Sequence, residues 1–231
     1  MMSILQSKRL NFLKGNYNLL LYSLLILFIF RPYDKSSFYL GIWKLFLTGT
    51  ILIATFKCKH SSKLRNVEIC LAIPAVLFCW WDLYWNQHWS LIGTTFLSVF
   101  FTFLCAFSII IDVFSHKKVT FETLRGAICA YFLLAIGFAY LFWFIEWLIP
   151  GSFYISQANI PIYSYAGYIS EMFYFSFTTL LTIGFGDIVP TKDIAQTATI
   201  LEGFMGQFYM TIIVARLVAM YSLSAHEKTP K

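Results

Sequence analysis

The sequence predicts an all-α membrane protein: six transmembrane helices plus a re-entrant helix and the loop that follows it. Three observations carry that expectation. The 231 residues are 59% hydrophobic and 12% charged, against about 25% charge in an ordinary soluble domain, and the mean hydropathy is +0.70. Long apolar runs alternate with short polar or basic turns. One apolar run, Glu171 to Leu181, is much shorter than the rest. At ~1.5 Å per residue its helix is only ~18 Å long, and the hydrocarbon core is ~30 Å thick. It opens directly into Thr182-Ile183-Gly184-Phe185-Gly186-Asp187. Non-helical backbone at membrane depth is tolerated only where protein buries it or where it lines a watery cavity.

The elements follow in order. Residues 1–16 carry Lys8, Arg9 and Lys14 and are expected in the cytoplasm. The basic residues ahead of the first apolar run look like a secretory signal, but Arg31-Pro32-Tyr33-Asp34 follows where a small-residue cleavage site would stand. The run is therefore read as a retained first span, residues 17–30. The second span is residues 38–56, followed by a basic loop with Lys57, Lys59, Lys63 and Arg65. The third is 67–85. A short Asn86-Gln87-His88 turn comes next, flanked by Trp85 and Trp89 as at a membrane interface. The fourth is 90–114. Residues 116–126 form a cytoplasmic linker with Lys117, Lys118 and Arg125. The fifth span, 127–149, closes at Pro150-Gly151, and residues 152–168 form a loop without Lys or Arg. The re-entrant helix is expected to start near Ser170 as N-cap, with Glu171 at the positive end of its dipole. The sixth span is 194–223, and residues 224–231 are a short cytoplasmic tail.

Charge orients this chain. With both termini inside, the inner segments hold thirteen Lys and Arg and the outer loops only Arg31, Lys35 and Lys192. That asymmetry satisfies the positive-inside rule and accounts for the net charge of +6 better than nucleic-acid binding does. It puts Asp187 outside. The five cysteines, Cys58, Cys70, Cys79, Cys105 and Cys129, have no metal spacing and read as free thiols in apolar surroundings. His60, His88, His116 and His226 all lie outside the spans, so no acid–base or metal cluster points to an enzyme. A transporter often shows a repeated pair of broken helices, and only one interrupted segment occurs here.

Thr182 to Asp187, set between a short and a long apolar segment, resembles the signature of potassium channels, most often Thr-Val-Gly-Tyr-Gly-Asp. The resemblance runs from about Ala127 to Ser222. It implies a homotetramer in the lipid bilayer whose filter strands meet on one axis. Carbonyls of Thr182, Ile183, Gly184 and Phe185, with the Thr182 hydroxyl and with Gly186 completing the strand, would replace the water shell of K⁺. Asp187 would mark the outer mouth, and four copies would concentrate cations there. No cofactor is implied beyond the permeant ion, held by filter carbonyls only. Three departures stand out. Ile183 replaces Val, Phe185 replaces Tyr and loses a hydroxyl, and Leu181 stands where Thr or Ser is usual. The last two remove polar anchors and keep a weakly selective monovalent cation channel open as an alternative.

Residues 17–115 then occupy the place of a sensor domain, and residues 127–223 form the pore domain. Ser90 to Ile111 contains no charge, whereas voltage sensing needs repeated Arg or Lys there. A channel that is not voltage-gated is expected. Charges inside spans are costly. Lys44 and Asp82 fall at similar depth and are expected to pair, either as a structural contact or as a gate for another stimulus. Thr179 and Glu202 are expected to support the filter, Glu202 from the inner helix. Its protonation is a candidate source of pH sensitivity. Gly206, nineteen residues after Asp187, is the candidate gating hinge, with plain helix packing as the other reading. Gly203 is a candidate for packing on the fifth helix. Arg216 reads as an interfacial anchor. The short tail leaves no room for a ligand-sensing domain within this chain, and the compact size fits a bacterial inner membrane.

Overall fold

A computed structural model describes residues 17–30, 37–57, 62–85, 88–116, 120–156 and 165–226. Seven helices lie among them: α1 Asn18–Ile29, α2 Ser37–Lys57, α3 Ser62–Trp85, α4 His88–Ser115, α5 Phe121–Leu148, α6 Tyr165–Leu180 and α7 Asp193–His226. Two short strands, β1 Phe153–Ile155 and β2 Ile188–Pro190, pair antiparallel with Tyr154 opposite Val189. Among the described residues, three stretches are long and apolar enough to cross a membrane: Gly93–Ser115, Phe121–Leu148 and Asp193–Arg216. Asn18–Ile29, Lys44–Ile53 and Asn66–Leu77 are shorter apolar helical stretches. The protein is an all-α membrane protein with one small β ribbon.

Several boundaries differ from the sequence reading, each for a local reason. α5 begins at Phe121 because Thr120 caps it. The Thr120 side chain accepts from the Thr123 amide at 3.3 Å, and the Thr123 hydroxyl accepts from the Thr120 amide at 2.8 Å. The expected 116–126 linker is therefore helical from Phe121 onward. α6 starts at Tyr165, so Ser170 is not its N-cap but a buried residue within it. Glu171 consequently lies beyond the first turn, where the helix dipole no longer favours it. The expected loop 152–168 contains β1 and the first residues of α6.

α5 is the centre of the molecule. Of its most apolar stretch 72% is buried, against 22% for α7. A helix apolar on all sides is a buried one, and every residue from Leu133 to Tyr140 is buried. α4 packs along α5, with Phe101, Cys105 and Ile109 buried at the seam. α1 presents Leu20, Leu24 and Leu27 at helical spacing, all fully buried. Its Phe28 meets Phe132 of α5 and Phe177 of α6, at 5.8 and 4.8 Å between ring centroids. The first helix thus touches α6 itself. α7, on the other side, exposes Ile200, Leu201, Phe204, Phe208 and Ile212.

Candidate functional site

The Thr182–Asp187 segment hangs from the C-terminal end of α6. The last turn of a helix leaves carbonyls without intrahelical partners, and here the segment's own amides use them. Thr182 N–H donates to Thr179 O at 2.9 Å. The Ile183 and Gly184 amides both reach Thr178 O, at 2.8 and 3.3 Å. Thr179 therefore supports the segment through its carbonyl, and Thr178, which the sequence reading does not single out, does more.

Backbone dihedrals alternate along it. Thr182, Gly184 and Gly186 have φ of +60°, +56° and +79°, while Ile183 and Phe185 between them do not have positive φ. Glycine takes such values at no steric cost. Thr182 does so at ~1–2 kcal/mol, the kind of backbone strain that clusters at ligand clamps. Alternation of this kind lets an extended chain turn successive carbonyls to one side. Leu181 to Gly186 are all exposed in the single chain.

Asp187 is held from three directions. Tyr174 Oη donates to its Oδ2 at 2.7 Å, the Ile188 amide donates to its Oδ1 at 3.1 Å, and its carbonyl accepts from Ser156 N at 2.9 Å. The Tyr174 ring also stacks on Phe185, 6.3 Å away and nearly parallel at 2°. The Tyr174 hydroxyl thus ties α6 to the far end of the segment. The β ribbon continues the brace outward. Thr191 donates to Ser152 O and Gly151 O, and Glu146 accepts from the Gly151 and Phe153 amides at 2.8 and 2.9 Å.

Behind the segment, Glu202 of α7 is fully buried. Its Oε1 bonds with Ser176 Oγ of α6, and Ser176 Oγ also donates to Ala135 O of α5 at 2.7 Å. Gly206, one turn below, lies against the end of α6. A Cβ there would sit 2.8 Å from Leu180 O, the carbonyl that also accepts from Tyr131 Oη at 2.9 Å. A Cβ on Gly203 would meet nothing within 4 Å. Close packing is what the geometry gives Gly206, and α7 runs unbroken through it. Leu181, Ile183, Tyr174 and Phe177 line an apolar groove of about 440 Å³ that Phe28 closes from the α1 side.

Lys44 is buried at 4% exposure, whereas the Asp82 side chain lies outside the described residues. The structure adds Glu68, fully buried in α3, which the sequence reading passes over although it falls inside the third span. Cys105 and Cys129 are buried and Cys70 is exposed; nothing is described of the Cys58 and Cys79 side chains. Among the described residues no group of three or more His, Cys, Asp or Glu is placed to hold a metal ion.

Arg216 is more than an interfacial anchor. Its guanidinium donates to Val113 O, Phe114 O and His116 O at 2.8, 3.0 and 2.7 Å, and lies 4.5 Å from the centre of the Phe114 ring. It caps the C-terminal end of α4 from the C-terminal half of α7.

Residues 143–222, from the last turns of α5 through most of α7, match the family model described as an ion channel. No curated protein and no solved structure matches the chain. The match supports an ion channel, and the apolar helices support an integral membrane protein.

Proposed function

We propose that the chain is one subunit of a homotetrameric, potassium-selective channel of the six-helix kind, conducting K⁺ passively without voltage gating. The observation that carries this reading is the alternation of φ at Thr182, Gly184 and Gly186 in a segment suspended from a re-entrant helix. Selectivity would come from carbonyls of Thr182, Ile183, Gly184 and Phe185 replacing the ion's hydration shell, with the Thr182 hydroxyl below and Asp187 at the outer mouth. One segment per chain cannot enclose an ion, so four chains are needed. The exposed apolar flank of α7 is the surface left for pore and neighbours. α1 to α5 and α7 are the six membrane helices, and both termini lie in the cytoplasm, in a bacterial inner membrane. No bond is made or broken in this function.

Absence of a hydroxyl at Phe185 and the exposed Leu181 favour a second reading, a weakly selective monovalent cation channel. One experiment separates them. Purified protein is reconstituted with K⁺ on one side and Na⁺ on the other, and the reversal potential is measured. A value near the K⁺ equilibrium potential supports selectivity; a value near zero gives the second reading the case.

A further inference from the structure

We infer that Glu202 is held as a neutral carboxylic acid and works as a hydrogen-bond rivet joining three helices behind the filter. Counting hydrogens leads there. Ser176 Oγ touches two oxygens, Ala135 O and Glu202 Oε1. A hydroxyl has one hydrogen to give and can accept from others. Ala135 O is a carbonyl and can only accept, so Ser176 gives its hydrogen there. The contact with Glu202 then needs its hydrogen from the carboxyl: Glu202 Oε1–H donates to Ser176 Oγ, and Ser176 Oγ–H donates to Ala135 O. The relay runs from α7 through α6 to α5.

The remaining surroundings agree. Glu202 is 0% exposed, and its Oε2 has no hydrogen-bond partner among the described residues. As an acid, Oε2 is a bare carbonyl oxygen, a modest cost. As a carboxylate it would be half of a buried charge with nothing opposite, and such charges cost several kcal/mol even after relaxation. Among the described residues Glu202 has no salt-bridge partner. α6 contains no Lys or Arg, and in α5 and α7 the cations are Arg125 and Arg216. Lys192 is ten residues before Glu202 and Arg216 fourteen after it, which along a helix is ~15 and ~21 Å. Tyr131 on α5 is a titratable neighbour of Glu202. Its hydroxyl is given to Leu180 O, so it supplies no hydrogen to Glu202.

The consequence for conduction rests on the proposed filter reading. Ser176 sits one turn before Leu180, the last residue of α6, and the rivet fixes the turn ahead of the filter against the inner helix. Because the proton is locked in, this site does not confer pH sensitivity across the neutral range.

Infrared difference spectroscopy on the purified tetramer, wild type against E202Q, tests the proton directly and without any ion flux. The expected result is a protonated-acid carbonyl band, present in wild type only and constant from mildly acidic to mildly alkaline pH. Carboxylate bands in its place overturn the proposal. E202Q keeps a donor for Ser176, so K⁺ flux is expected within about twofold of wild type. E202A removes it and is expected to lower flux about tenfold or more. Loss of flux in E202Q comparable to that in E202A also overturns the rivet. If E202Q does not assemble, S176A replaces it: the acid band persists and moves to higher frequency as its acceptor is lost, and a spectrum without that band overturns the proposal. A wild type that shows the band but passes no K⁺ removes the channel reading and leaves the proton assignment standing.

Discussion

Tyr174 is the residue on which the outer end of the candidate filter leans. Its hydroxyl reaches Asp187 at 2.7 Å and its ring covers Phe185. Tyr174→Phe keeps the stack and deletes one hydrogen bond to a charged group, a loss of ~1.5–3 kcal/mol. If that bond stabilises the conducting filter over a collapsed one, the ratio of the two shifts by about tenfold or more. Currents from Tyr174→Phe are expected to decay during sustained conduction where wild-type currents persist; equal decay in both would remove the role assigned to the bond. The unusual backbone of Thr182–Asp187 is legible in the sequence because glycines at two alternating positions, Gly184 and Gly186, mark residues that take positive φ. Tyr174, thirteen residues before Asp187, is not legible in the same way, because its pairing depends on how the chain doubles back after α6. Gly206 makes a second case at this scale. Spacing alone suggests a hinge, while the neighbouring carbonyl of Leu180 accounts for the missing side chain by contact. Gly206→Ala is expected to destabilise the assembled protein by ~1–3 kcal/mol through overpacking. Gly203→Ala, with open space at its Cβ within the chain, is expected to be tolerated. Thermal unfolding of both variants decides it, and a Gly206→Ala protein as stable as wild type but slow to open would restore the hinge.

Arg216 joins two elements that the sequence keeps a hundred residues apart. Three carbonyls at the end of α4 accept from one guanidinium, satisfying groups that a helix C-terminus otherwise leaves to water. A cation is also favoured there by the helix dipole. The planar fork of Arg matches several acceptors at once, which the single ammonium of Lys does not. Arg216→Lys is therefore expected to behave much like Arg216→Gln. Both loosen the inner end of α7 from α4 and change the fraction of time the channel is open, leaving the reversal potential unchanged. Single-channel recording measures both quantities; an Arg216→Lys channel indistinguishable from wild type would mean that charge alone suffices. Helix order is legible at this scale because long apolar runs separated by basic turns must alternate between membrane and water. Helix ends are less so. Thr120 caps α5 ahead of the predicted start, and β1 forms inside an expected loop because the chain leaving the filter supplies it with a partner strand.

Response to voltage is a property of the whole molecule, since the membrane field acts on every charge that moves through it. One elementary charge crossing the field is worth ~2.3 kcal/mol per 100 mV. α4 carries none between Ser90 and Ile111, and its buried polar positions, Thr94, Thr95, Ser98, Thr102 and Ser108, are hydroxyls. Near the C-terminal end of α4, Asp112 is bonded by the Tyr17 hydroxyl. In the first four helices Lys44 on α2 and Glu68 on α3 are also buried, and α3 carries Asp82; none of the three sits on α4. Arg216 still links α4 to the inner helix, so a mechanical connection exists without the charges that would drive it through voltage. Current is then expected to follow the electrochemical driving force, with open probability changing by less than about twofold over 100 mV, the response of a small fraction of one charge. Recording open probability in planar bilayers across that range measures it. A steep rise equivalent to several elementary charges per tetramer would require moving charges that α4 does not hold, and would shift the search to Lys44 and Glu68.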